Sequence, residues 1–408
     1  MAVAVGDLEL PEIDLVDMDR ESYVAALREA GRQHWLARTP LGYVVTRYAE
    51  ATAVLREKRF HSALSLLPER AGMEGEEYFA RRRQSILSME GPDHARLRRL
   101  VAPAFTPRSA DRLRPFMREV VEELIAPVLA TGRCELVEDV CEPYPIPIIC
   151  ALLGAPREDW QLFSRWATDI FRLFNDRLAE DLPLIQQASE DLDAYVTELI
   201  AERRNHLGDD LLSGMIAAEE AGDRLSTEEL VMMAEAVLMA GTDTTRNQLA
   251  CSVALLAAHP DQWRLLGERP ELAPRAVEET MRYLGAVRGT ARFAAEDVEL
   301  KGVRFPAGTF LGVMLAAANR DESVWPEPER LDITREPASS PQITFGSGIH
   351  FCLGASLARA ELQEALPILA RRMPDLEVDG EVVWKPDTVG IWGPARLPLR
   401  FAASAVPA

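Results

Sequence analysis

Of five cysteines, Cys134, Cys141, Cys150, Cys251 and Cys352, the last stands apart by its neighbours. It lies in Phe345-Gly-Ser-Gly348-Ile-His350-Phe-Cys352-Leu-Gly354, a glycine-punctuated loop followed at once by a helical pattern. From Ala355 to Arg372 the apolar residues Ala358, Leu362, Ala365, Leu366 and Leu369 recur at the spacings of one helix face, and Pro367 is expected to bend its second half. A cysteine just before a helix N-terminus meets free backbone N–H groups and the positive end of the dipole, which favour thiolate over thiol. Gly348 and Gly354 let the backbone turn sharply and approach a flat ligand closely. A thiolate held this way is a nucleophile or the axial ligand of a haem iron.

A second group with chemical capacity is Ala240-Gly241-Thr242-Asp243-Thr244-Thr245, in the middle of a long helical pattern. That pattern opens at Ser226-Thr-Glu-Glu229, a capping box, and runs to about His259, where Pro260 stops it. It is apolar almost all round, as a central buried helix must be, while Glu235, Asp243 and Arg246 argue against a membrane span. Glycine costs about 1 kcal/mol against alanine inside a helix, and threonine and aspartate favour caps. Threonine hydroxyls that bond the carbonyl one turn earlier bend the helix. The cluster is either a satisfied helix break or a kink in which something binds.

Charged residues supply the remaining candidates. In Met89-Glu-Gly-Pro-Asp-His94-Ala-Arg96-Leu-Arg98-Arg99, Pro92 suits a first helical turn, and His94 and Arg98 share a face. They form a solvated basic face or a pair of donors for an anion. Glu279 and Arg282 lie three apart on a helix expected over Ala273–Leu284, a spacing that by itself reads as a surface ion pair. Short strands are expected around Arg292 and onward to Thr309.

Bulk properties exclude several classes. Over 408 residues the chain is 48% hydrophobic and 27% charged, which is ordinary for a globular protein. A formal charge of -20 provides no field for binding nucleic acid. The cysteines form no C-x-x-C pair, so a disulfide framework or closed zinc site is not expected and a reducing compartment is. The first residues lack a signal peptide or membrane anchor, which points to the cytoplasm. No repeats or flexible linkers divide the chain. Helices are expected over residues 20 to 36 and from Tyr48 to Lys58, with a strand at Gly42–Thr46 between them. His61 to Met89 reads as irregular chain followed by a short helix, and residues 108 to 221 as successive helices.

The pattern Phe-x-x-Gly-x-His-x-Cys-x-Gly closely resembles the haem-binding loop of the cytochrome P-450 superfamily. Gly-x-Asp-Thr and Glu-x-x-Arg match that family's next two signatures, in its order. The resemblance covers essentially the whole chain and implies the family's fold, mainly α with a small β portion, a helical prism enclosing haem b. It implies one haem-thiolate monooxygenase domain over 1–408, with no fused reductase. By the same resemblance Cys352 ligates iron within the Phe345, Gly348, Gly354 loop. His94, Arg98, Arg292 and His350 reach the haem propionates. Gly241 opens a groove for dioxygen, Asp243 relays protons, and Thr244 holds the hydrogen-bond network at bound oxygen, with Thr245 the alternative. Glu279, Arg282 and Arg330 form a buried structural triad. Ala240, Val287, Arg288 and Trp392 line the substrate pocket, with Val389 in the same C-terminal wall; Phe163, Trp166, Phe171 and Phe174 lie in its lid or simply pack. Arg288 either anchors an anionic substrate group or points to solvent.

The implied reaction inserts one atom of dioxygen into a small hydrophobic substrate. Electrons are expected from a separate ferredoxin and an NAD(P)H-dependent ferredoxin reductase, docking at arginines such as Arg99, Arg359, Arg371 and Arg372. A haem-thiolate peroxygenase or isomerase, or a haem sensor without turnover, are the alternatives.

Overall fold

In a computed structural model, residues 2–14, 18, 20–66, 77–174, 178–220, 225–337, 340–386 and 390–403 are described. They fall into two units, one of Met1–Glu90, Glu278–Cys352 and Pro386–Trp392, the other of Gly91–Val277, Leu353–Lys385 and Gly393–Ala408.

The first unit is built on a five-stranded sheet in the order Leu36–Thr39, Gly42–Val45, Phe310–Val313, Thr290–Ala294, Phe60–Ser62. The register pairs Leu36 with Val45, Val45 with Val313, and Ser62 with Arg292. Alternation puts Leu36, Val45, Phe60, Leu311 and Val313 into one core with Phe305, Trp35 and Trp325. The helix expected over residues 20 to 36 ends at Gln33, because Leu36–Thr39 is drawn into a hairpin by the turn at Gly42. Helix periodicity continues through Trp35 and Leu36, but cross-strand pairing with Val44 and Val45 wins. Between 61 and 89 the strand Phe60–Ser62 and the short helix Glu77–Arg82 are present; residues 67–76 lie outside those described.

In the second unit the helix Ala355–Arg372 has the expected bounds, with Leu357, Leu362, Leu366 and Leu369 buried and Pro367 accommodated inside it. It packs along Pro107–Leu129, whose Thr106 accepts a capping bond from the Ser109 N–H, and against Pro260–Glu268 and Asp243–Ala257. The capping box at Ser226 forms in both directions: Glu229 N–H donates to Ser226 Oγ (3.1 Å), and Ser226 N–H to Glu229 Oε2 (2.9 Å). The helix it opens is not continuous to His259. It is divided into Thr227–Ala240 and Asp243–Ala257 at the Gly241-Thr242 step.

Candidate active site

Cys352 is exposed, whereas the other four cysteines are buried. Burial pushes the thiols of Cys134 and Cys150 up to about 12 and that of Cys141 well above its usual value, so these three stay protonated. The loop presenting Cys352 is heavily constrained. Cys352 N–H donates to the Phe345 carbonyl (2.9 Å), closing it, and Gly346 N–H donates to Ile343 O (2.8 Å). Gly348 has φ +73°, and a Cβ there would fall 2.1 Å from the Leu55 carbonyl oxygen, so no other residue fits. The glycine serves a close approach of two backbones. Gly354 differs: a Cβ built on it meets nothing within 4 Å, leaving open space two residues from the exposed sulfur.

The loop is anchored by a residue the sequence reading passed over. Asn319 accepts from Ile343 N–H (2.8 Å) through Oδ1 and donates from Nδ2 to Thr344 Oγ1 (2.9 Å); the Thr344 hydroxyl donates to Met281 O (3.0 Å). The Asn319 carbonyl accepts from Arg282 Nη1 (3.2 Å). Arg282 and Glu279 form a buried two-pronged pair, Nε to Oε2 at 2.8 Å and Nη2 to Oε1 at 2.9 Å. A chain of direct contacts therefore runs from the ion pair through Asn319 to the segment entering the cysteine loop. A lone asparagine after a short helix carries no motif, so only the fold reveals it.

The third arginine of this triad is Arg335, not Arg330. Arg335 Nε reaches Glu279 Oε1 at 3.2 Å. The Arg330 side chain is 61% exposed and faces Glu327 and Asp332, while its carbonyl accepts from Arg282 and Arg335. The turn Pro326–Arg330 offers its carbonyls inward, and Arg335, five residues further on, is the cation that reaches the pair.

Arg292 lies in the strand Thr290–Ala294 and is 5% exposed. Its guanidinium donates to Ala291 O (2.9 Å) and Thr290 Oγ1 (3.3 Å), both neutral, and burial lowers its pKa. His350 donates or accepts through Nε2 with Glu90 Oε1 at 2.8 Å. In the second unit His94 is buried and Arg98 half-buried on the helix Gly91–Val101, while Arg96 pairs with Glu229.

At the helix break the backbone is satisfied by side chains. Thr242 Oγ1 donates to Met239 O (2.9 Å) and Thr244 Oγ1 to Ala240 O (3.0 Å). Such back-bonding replaces part of the i to i−4 ladder and lets the helix open. A Cβ on Gly241 would fall 2.8 Å from Ile149 Cδ1 on the helix Pro145–Leu153, so packing against that helix requires the glycine. Asp243 is buried, and Arg246 Nε donates to its Oδ1 (2.6 Å). Thr245 Oγ1 is turned to Glu361 Oε2 (3.3 Å). Glu361, also unmarked by sequence, is fully buried; burial raises its pKa well above the usual value, against the Thr245 bond, so it is a neutral acid. Its Oε1 has no hydrogen-bond partner among the described residues.

Of the expected pocket residues, Ala240 is exposed and Trp392 buried, with Trp392 N–H donating to Ala286 O (2.9 Å) and Val287 bridging Ile391. The Arg288 guanidinium lies 5.0 Å from the Tyr23 ring centre and 4.8 Å from that of Trp392. Phe163 and Trp166 are buried and pack edge to face (5.6 Å); Phe171 is half-buried. The Phe174 side chain and Val389 lie outside the described residues.

These features fit a haem. Cys352 is the one exposed cysteine, and Arg292, buried and bonded among the described residues to neutral groups, suits a carboxylate that comes with a ligand. The family model of cytochrome P450 matches residues 157–374. The chain is 38% identical over 400 residues to luteothin monooxygenase of Streptomyces thioluteus, covering 97% of each. It is equally 38% identical to mycinamicin IV hydroxylase/epoxidase of Micromonospora griseorubida, covering 96% of this chain and 94% of that one. The crystal structure of CalO2 matches with TM-score 0.90 at 33% identity, over 97% of this chain and 100% of that one. Fold and cysteine loop define a haem enzyme that activates dioxygen. The chain belongs to the cytochrome P450 family, is a monooxygenase of the type found in bacteria, and carries haem b as its cofactor. No helix among the described residues is long and apolar enough to cross a membrane.

Proposed function

We propose that residues 1–408 act as a single cytoplasmic domain that hydroxylates or epoxidises a small hydrophobic organic substrate of secondary metabolism, with electrons delivered by a separate ferredoxin and its NAD(P)H-dependent reductase. The haem, when bound, supplies the dioxygen chemistry, and Cys352 would hold its iron through its sulfur. His94, Arg98, Arg292 and His350 would take its carboxylates, since desolvated carboxylates need cationic or donor partners.

Asp243 and Thr244 would hold and pass the protons that this chemistry consumes, at the Asp243 carboxylate and Thr244 Oγ1. The observation that carries this assignment is the division of labour among the hydroxyls at the helix break. Thr242 and Thr245 bond into the protein, at Met239 O and Glu361, while Thr244 sits half-buried on the Ala240 carbonyl. Thr244 can exchange that bond to Ala240 O, in the preceding helix, for one to a ligand or water, which supports it over Thr245. Asp243 adjoins it and is kept in place by Arg246, a side chain that holds the carboxylate through two nitrogens. Exposed Arg99 and Arg371 support docking of an acidic ferredoxin; Arg372 is engaged by Glu122 (3.3 Å).

The names of the relatives support a secondary-metabolite substrate. Arg288 between Tyr23 and Trp392 supports a pocket wall that favours a substrate carrying an anionic group; Arg288→Ala should weaken a carboxylate ligand and spare its neutral ester. The test of the whole reading is turnover of a ligand that shifts the haem spin state, with a surrogate ferredoxin system and labelled dioxygen. One labelled oxygen atom in the product is expected. Turnover with hydrogen peroxide alone, or no turnover of any spin-shifting ligand, would contradict it.

A further inference from the structure

Glu90 stands at a junction that neither the thiolate nor the proton path uses. Its Oε1 meets two groups at once, the Ser62 backbone N–H (2.7 Å) and His350 Nε2 (2.8 Å). Both the Glu90 and His350 side chains are only 13% exposed. Ser62 is the cross-strand partner of Arg292, and its hydroxyl donates to Leu87 O (3.0 Å), which fixes the segment leading to Glu90. A single carboxylate oxygen thus ties the strand beside Arg292 to the turn Gly348–His350. Arg292 itself makes no bond to a carboxylate among the described residues, and Glu90 is the acid whose field favours its charge. Burial opposes ionisation of Glu90, yet the bonds from His350 and Ser62 outweigh it and lower its pKa. Two groups, the Ser62 N–H and His350 Nε2, meet at one carboxylate oxygen.

We propose that Glu90 is a positioning residue for the haem: it fixes His350 through Nε2 and, through the Ser62 N–H, the strand paired with that of Arg292, setting the arrangement in which both take haem carboxylates, and its charge restrains the reduction potential of the iron. The inference rests on the reading of Cys352 as the iron ligand and of these two side chains as carboxylate partners. A fixed negative charge in a partly buried setting disfavours the added electron, so removing it makes reduction easier. Loss of a partner that orients such a side chain typically costs ten- to a hundredfold in affinity.

The test compares Glu90→Gln, which keeps an acceptor of the same shape without charge, with Glu90→Asp, which keeps the charge on a shorter stem. In the purified holoenzyme, the rate of haem transfer to excess apomyoglobin and the ferric–ferrous midpoint potential are measured beside thermal stability. Glu90→Gln is expected to raise the potential and speed haem loss. Glu90→Asp is expected to speed haem loss, by about tenfold, at a potential close to wild type. Wild-type potential and haem-loss rate in Glu90→Gln would overturn the proposal, as would lower thermal stability in both variants with both haem readouts unmoved, which marks a strand-to-turn staple only. The CO-bound spectrum of the wild type keeps the two readings apart: absence of the thiolate band there would sink the Cys352 assignment itself, while its presence with unmoved readouts in the variants would sink only the role of Glu90.

Discussion

The cysteine loop and the broken helix each depart from regular structure, and they do so in opposite ways. Around Cys352 the chain is over-determined: a closing bond to Phe345 O, a glycine pressed on Leu55, and Asn319 bonding both Ile343 and Thr344. Behind that loop stands the buried pair Glu279–Arg282 with Arg335. At Gly241–Thr244 the helix instead gives up backbone bonds and satisfies the freed carbonyls with threonine hydroxyls. A metal ligand gains from a loop with one conformation, since the ligand must be present in one place. A site that passes protons needs groups that can exchange partners, and a hydroxyl on a carbonyl exchanges more readily than a backbone ladder.

The largest effect should come from attacking the rigid region. Arg282→Met leaves Glu279 buried beside Arg335 alone and removes the donor to Asn319 O, a loss of about 3–5 kcal/mol. Denaturant unfolding should show that loss, and the remaining folded protein should hold haem poorly; a stable variant with intact haem would break the contrast. In the adaptable region Asp243→Asn should slow turnover by about a hundredfold, and it should also lower stability because it leaves the buried Arg246 without the Asp243 carboxylate. Thr244→Ala should still consume NAD(P)H while releasing hydrogen peroxide in place of product, and Thr245→Ala should couple far better. Equal uncoupling in both threonine variants would remove the distinction drawn between them.

Glu361 sharpens the comparison from the energetic side. Unfolded, it loses its proton near the ordinary 4.5; folded, burial holds the proton to well above that value. Its contribution to stability is therefore full below about pH 4.5 and falls as pH rises towards the folded value. Glu361→Gln cannot ionise and escapes that fall. Its melting temperature relative to wild type should rise between about pH 5 and pH 8, and a constant difference across that range would contradict a buried neutral acid.

Much of this was legible in the residues, where local chemistry and fold agree. The capping box at Ser226 and the face of Ala355–Arg372 follow from spacing alone, and Gly-x-Asp-Thr announced a break because those residues resist a helix interior. What stayed hidden depended on partners distant in sequence. Leu36 continues a helical period yet pairs with Val45. Arg330 and Arg335 both follow a proline-rich turn, and only the turn's path decides which guanidinium meets Glu279. Gly241 reads as room for a ligand, and the fold also presses it on Ile149, 92 positions earlier in the chain. Asn319, Glu361 and Glu90 carry no local signature, because each matters through what the fold brings to it.

The central claim is that the constrained loop exists to hold a thiolate on iron. The most direct measurement is the absorption spectrum of the reduced, CO-bound protein, wild type beside Cys352→Ser. The wild type should show the red-shifted band of a thiolate-ligated haem, and the serine variant should lose it while retaining its fold by circular dichroism. A wild type without that band, or a serine variant that keeps it, would contradict the assignment of Cys352.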